Sequence, residues 1–117
     1  MKELEKSINE LNALIVQYKY PEALDKFYDE NIITHENEDT PVAGLTAYKE
    51  RAKQIFYDNV TNYSAELKNV IISDEITATE WHYKLDHKIW GHWDKTQLSV
   101  QRWKDGKIIH ERHHYNK

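Results

Sequence analysis

Four β-rich runs fill the second half of this chain, and the last two are joined by Asp105-Gly106. That dipeptide is a strong hairpin signal, because both central positions of a type I′ turn need positive φ. The runs are "NYSAELKNVIIS", "ITATEWHYKLDH", "TQLSVQRWK" and "KIIHERHHY". Asp74-Glu75, a loop around Gly91 and Asp105-Gly106 separate them. Strands joined this closely form an antiparallel meander, and one face of such a sheet needs a cover.

The first half supplies it. Leu4, Ile8, Leu11, Ile15 and Tyr18 recur at steps of four and three, with Lys, Glu and Asn on the other side, which predicts an amphipathic helix. Pro21 suits the first turn of a second helix, whose apolar side is Ala23, Leu24 and Phe27. Ile32, Ile33 and Thr34 favour a short strand, and Asp39, Pro41 and Gly44 mark the turn after it. Thr46 is the expected cap of a third helix with Tyr48, Ala52, Ile55 and Phe56 on its apolar face. Helices first and meander last predict an α+β fold, three N-terminal helices packed on a strongly curved antiparallel sheet. The length suits a single domain over residues 1–117.

Composition narrows the function classes. Four Trp, eight Tyr and two Phe suit a half-polar cavity or an interface better than an oily interior, since Tyr and Trp carry a polar handle. The net charge is −4 and Lys and Arg are scattered, so no nucleic-acid partner is expected. The chain has no cysteine, which excludes disulfides and thiolate metal sites and fits a reducing compartment. The N-terminal "MKELEKSINELNALIVQYKY" is charged and its apolar cluster is short, which reads as neither a signal peptide nor a membrane span. A cytoplasmic protein without membrane contact is expected. No P-loop, nucleotide-binding glycine fingerprint or "G-x-S-x-G" is present.

Phe27-Tyr28, Ile32-Ile33, Pro41, Gly44, Trp81, Arg102-Trp103, Asp105-Gly106-Lys107-Ile108 and Glu111 stand in an order spanning nearly the whole chain. In that order the sequence resembles the SnoaL-like branch of the NTF2-like superfamily. The resemblance implies a cone with a pocket between helices and concave sheet, and a homodimer packed through the outer sheet face. Trp81, Tyr83 and the outward residues of the last strand are the expected material for that face. It also implies isomerase, cyclase, dehydratase or hydrolase chemistry, or none, so the site is read residue by residue.

Ketosteroid isomerases of this superfamily carry a catalytic aspartate nine residues before the glycine that opens the third helix. Counting nine back from Gly44 gives His35, a plausible general base near neutral pH. The last strand divides into Ile109, Glu111, His113 and Tyr115 on one face and Ile108, His110, Arg112 and His114 on the other. The resemblance aims the first set at the pocket. The expected catalytic residues are therefore His35, Glu111 and His113. On "ITATEWHYKLDH", Trp81, Tyr83 and Leu85 share one face and Glu80, His82 and Lys84 the other, and the resemblance points the second set inward. It also points Ser99, Gln101 and Trp103 inward. Ligand contacts are accordingly expected from Tyr18, Tyr48, Phe56, His82, Gln101, Trp103 and Tyr115.

The isomerase oxyanion donors have no counterpart, because Leu11 and Ser99 stand in their places. His110 and His113 point to opposite faces of a strand and cannot chelate together. His35, Glu111 and His113 would form a two-histidine, one-carboxylate site only if they converged. No metal and no cofactor is expected. Two functions follow: an enzyme moving protons on a small, partly apolar molecule, or a ligand-binding or dimerisation module in which the same groups satisfy one another.

Overall fold

The computed structural model describes residues 2–116. Helices α1 (Lys2–Val16) and α2 (Tyr20–Phe27) are followed by β1 (Tyr28–Glu36), β2 (Val42–Ala43) and α3 (Leu45–Ile55). A 3-10 turn (Tyr57–Asn59) then leads into β3 (Val60–Ser73), β4 (Ile76–His87), β5 (Gly91–Lys104) and β6 (Lys107–Tyr115). The six strands form one sheet in the order β2-β1-β6-β5-β4-β3. All neighbours are antiparallel except β1 and β6. The three helices pack on this curved sheet. Register shifts in β1, β3 and β5–β6 mark irregularities of the bulge type, which bend strands and deepen the curve. No described helix is long and apolar enough to cross a membrane.

The periodicity of α1 is realised: Ile8, Leu11 and Ile15 are buried against α2 and the sheet. Tyr18 lies beyond the helix end with φ 62. Asp105 (φ 51) and Gly106 (φ 79) make the tight β5–β6 turn that the sequence predicts. The expectation for Thr46 is corrected. Gly44 is the N-cap of α3, with φ 93 and ψ 143, and Thr46 lies inside the helix. Only glycine adopts that backbone without strain. A Cβ at Gly44 would meet nothing within 4 Å, so Gly44→Ala is a backbone experiment. It is expected to lower unfolding free energy by about 1–3 kcal/mol, measured by urea denaturation.

The inner face of β4 is also corrected. Trp81, Tyr83 and Leu85 are buried inward, while Glu80, His82 and Lys84 face outward. His82 Nε2 lies 2.5 Å from Asp94 Oδ1 on that outer face. Burying three large apolar side chains outweighs burying three ionisable ones, each of which would need a partner. Trp81 and Tyr83 therefore belong to the core and not to the outer sheet face.

In β6 the alternation is broken once. Arg102 pairs with His110 and Trp103 with Ile108, so Ile109 is the extra residue. Ile108, rather than Ile109, fills the core at 0% exposure, and Glu111 still faces inward.

Candidate functional site

The cone encloses a cavity of about 820 Å³ between α3, the 3-10 turn and the concave face of the sheet. α3 buries no side chain completely, because its inner residues Tyr48, Ala52 and Ile55 face this space instead of a packed core. The walls are aromatic: Tyr20, Tyr28, Tyr48, Phe56, Tyr57 and Tyr83 on one side, Trp90, Trp93 and Tyr115 on the other.

At the floor, β6 presents Glu111 and His113. His113 Nε2 lies 3.0 Å from Glu111 Oε1, and Glu111 is fully buried. The protonation pattern follows from the donors around the pair. Trp103 Nε1–H can only donate, and it donates to Thr77 Oγ1 at 2.9 Å. The Thr77 hydroxyl then donates to Gln101 Oε1 at 2.8 Å. That fixes the Gln101 amide with its NH₂ toward Glu111 Oε2, 2.7 Å away. The Tyr28 hydroxyl donates to the same oxygen at 2.5 Å. Glu111 Oε2 thus accepts two hydrogen bonds while Oε1 has only the ion pair with His113, and the group is held as a carboxylate.

The electrostatics agree. Burial pushes the Glu111 carboxyl up, but the His113 cation and three hydrogen bonds bring it below its ordinary value. Burial likewise favours neutral His113, but Glu111 first and Glu36 next outweigh it and raise the imidazole to about 9. His113 Nδ1 donates to Ser99 Oγ at 2.8 Å, with the Gln97 amide 3.2 Å away. The tyrosines of the wall are all held above their ordinary value, chiefly by burial. They stay neutral near pH 7 and act as hydroxyl donors.

The rim is built on the β4–β5 turn. His87 Nε2 contacts Ile55 O at 2.6 Å, and its Nδ1 accepts from the Ile89 and Trp90 backbone N–H groups, each at 3.1 Å. This pattern puts the ring proton on Nε2. His87 so ties the turn to the end of α3, and its ring stacks on Trp90 at 3.8 Å. Trp90, Trp93 and Tyr115 continue as a row, with centroid spacings of 4.9 and 5.3 Å.

The expected site residues divide. Glu111, His113, Tyr48, Phe56, Gln101 and Tyr115 line the cavity. His35 does not. β1 buries Ile32 and Thr34 and turns Glu36 inward, which leaves His35 on the outer face, its ring 4.9 Å from His110. His35, Glu111 and His113 therefore do not converge. Among the described residues no group of three or more His, Asp or Glu side chains could hold a metal. His82 is outward, as given above. Trp103 is buried behind the cavity and acts by starting the hydrogen-bond chain to Glu111. Tyr18 packs behind the cavity against Tyr20, Tyr57 and Tyr63. Glu36, Gln97, Tyr28, His87 and the two rim tryptophans went unread in the sequence. The parity of Thr34 would have pointed to Glu36, but adjacent Ile32 and Ile33 leave that parity ambiguous.

The whole chain can now be set beside solved structures. A protein from Mesorhizobium loti described as a SnoaL-like polyketide cyclase superposes with TM-score 0.82 at 18% identity, covering 95% of this chain and 97% of that one. An NTF2-like protein of unknown function from Burkholderia pseudomallei gives 0.82 at 10% identity, over 99% and 92% of the two chains. This chain has the SnoaL-like, NTF2-like fold. A third neighbour, AclR from Streptomyces galilaeus, named as a candidate hydroxylase, gives 0.80 at 14% identity over 99% and 90%. No family model and no curated protein matches the sequence. Neighbours with such different names support the SnoaL-like fold and leave the chemistry to the cavity.

Proposed function

We propose that this chain binds a small, flat, partly apolar molecule in the cone cavity, and that the Glu111–His113 pair exchanges a proton with an oxygen of that molecule. The observation that carries this reading is a buried carboxylate–imidazolium pair on the floor of an aromatic-walled cavity. The aromatic walls suit a planar ligand, and neutral tyrosine hydroxyls supply donors for a carbonyl or hydroxyl oxygen. His113 is the acid: Glu111 keeps it charged, and its Nδ1 proton is donated to Ser99 Oγ, whose hydroxyl lines the cavity and can pass its own proton on to a ligand oxygen. Isomerisation, cyclisation and dehydration all use such a proton. The conjugate base, neutral His113 still held by Glu111, takes the proton back.

One observation favours a second reading. Glu111, Gln101, Tyr28 and His113 are joined by hydrogen bonds and an ion pair into one buried network. Such a network also serves as a rigid floor for a binding module without chemistry.

A screen of small cyclic ketones and aromatic hydroxy compounds separates the two. Binding is read by quenching of the fluorescence of Trp90 and Trp93, which line the cavity, and turnover is followed in parallel. The expected result is turnover that falls about 10²–10⁴-fold in His113→Gln, while binding persists. Binding without turnover would leave the module, and no binding by any compound would overturn both readings.

A further inference from the structure

We propose that a second site, a recess on the outer face of the sheet lined by Arg102, His110, Arg112 and His114, binds a phosphate-type oxyanion. The recess has a volume of about 170 Å³ and is completed by Ile76 and Val100. It lies on the opposite side of β5 and β6 from the cone cavity, so it shares no lining residue with it.

The case begins with strand register. On this face Arg102 stands directly opposite His110 on the neighbouring strand, and Arg112 stands beside His35 of β1. Arg102 and Arg112 are thus diagonal neighbours on this face, and like charges placed so oppose folding unless something neutralises them. Nothing within the recess does. Its lining contains no acidic residue. Glu38 reaches one edge, 3.3 Å from an Arg112 terminal nitrogen, but its side chain is 86% exposed. Among the described residues the side chains of Arg102, His110 and His114 make no hydrogen bond or ion pair, and the Arg112 Nε is buried without a partner.

The remaining charges do not alter this balance. His35 adds a further imidazole from β1, 4.9 Å from the His110 ring. Glu111 lies on the inner face and is already engaged by His113, Tyr28 and Gln101. The His110 imidazole is held below its ordinary value, by burial first and then by His35, Arg112 and Arg102, with Glu111 opposing weakly. A group in that position gains from an anion.

The donor set selects the ligand. Two guanidinium groups and two imidazoles around one small recess offer N–H donors from several directions, which suits a tetrahedral oxyanion with several acceptor oxygens. The Ile76 and Val100 walls suit a short apolar substituent on a phosphate monoester.

The test is histidine-ring NMR of the whole protein at pH 7, titrated with inorganic phosphate against sodium chloride at matched ionic strength. Saturable movement of the His110 and His114 signals is expected with phosphate alone, while His113 on the inner face stays still. Arg112→Gln is expected to weaken the effect at least about tenfold, as loss of a bidentate charged donor should. Arg102→Gln is the control for folding. It relieves a like-charge pair, so without phosphate its Tm should equal or exceed that of the wild type, while its phosphate response falls. Phenyl phosphate binding about tenfold tighter than inorganic phosphate would assign the site to monoesters, and equal binding would assign it to free phosphate. Ring signals that move equally in chloride, or without saturation, would overturn the proposal.

Discussion

Glu111→Ala is expected to destabilise the protein by about 3–5 kcal/mol, the range for breaking one side of a buried ion pair. Three partners lose their acceptor at once: His113 Nε2, the Tyr28 hydroxyl and the Gln101 amide. The Trp103–Thr77–Gln101 chain then ends on nothing. His113 keeps its burial and loses the carboxylate that outweighed it, so its imidazole should fall from about 9 toward neutrality or below. Urea denaturation at pH 6 reads the first effect and a histidine NMR titration the second. Tyr28→Phe is the comparison, because it removes one donor to Glu111 and should cost about 1–2 kcal/mol. Equal losses in the two variants would mean that the ion pair adds nothing beyond a single hydrogen bond.

Stability should also fall by about 3 kcal/mol between pH 6.5 and 9.5, from the His113 shift alone. His113 rises from 6.5 unfolded to about 9 folded, so the native state binds the extra proton. The stabilisation is fully present below pH 6.5 and is lost as pH climbs through 9. Glu111 works in the opposite sense at the acid end. Its folded value lies below 4.5, so its contribution is present above that pH and is lost on acidification through the lowered value. For this pair the plateau runs from about pH 4.5 to 6.5. The raised wall tyrosines, from an ordinary value of 10, act only above this window. Denaturation midpoints across the window in wild type and His113→Gln provide the measurement. The slope should vanish in the variant, and a flat wild-type profile would remove the charged pair from the account of this site.

Much of the fold is written locally. The stripe of α1, the proline at the start of α2 and the Asp105-Gly106 turn each rest on short-range chemistry, and each is found where the sequence puts it. That Glu111 and His113 share a face was also legible, because β6 carries them two apart, while the choice of that face as the inner one came from the resemblance. The site failed wherever a face had to be chosen without a local signal. His35 and Glu36 are neighbours, and a one-residue difference in parity exchanges cavity for outer face. His82 lost its expected place because Trp81, Tyr83 and Leu85 compete for the same inner face and bury more apolar area.

What the sequence by itself determined is therefore the element order, the hairpin and the presence of a carboxylate and an imidazole on one strand face. These depend on backbone preference and on periodicity over a few residues. Only the tertiary structure decided the faces of β1 and β4, the irregularity at Ile109, and the union of Trp103, Thr77, Gln101 and Tyr28 around Glu111. Those depend on pairing between strands far apart in the chain. A donor such as Trp103 acquires its role only when the register brings Thr77 and Gln101 into line between it and the carboxylate.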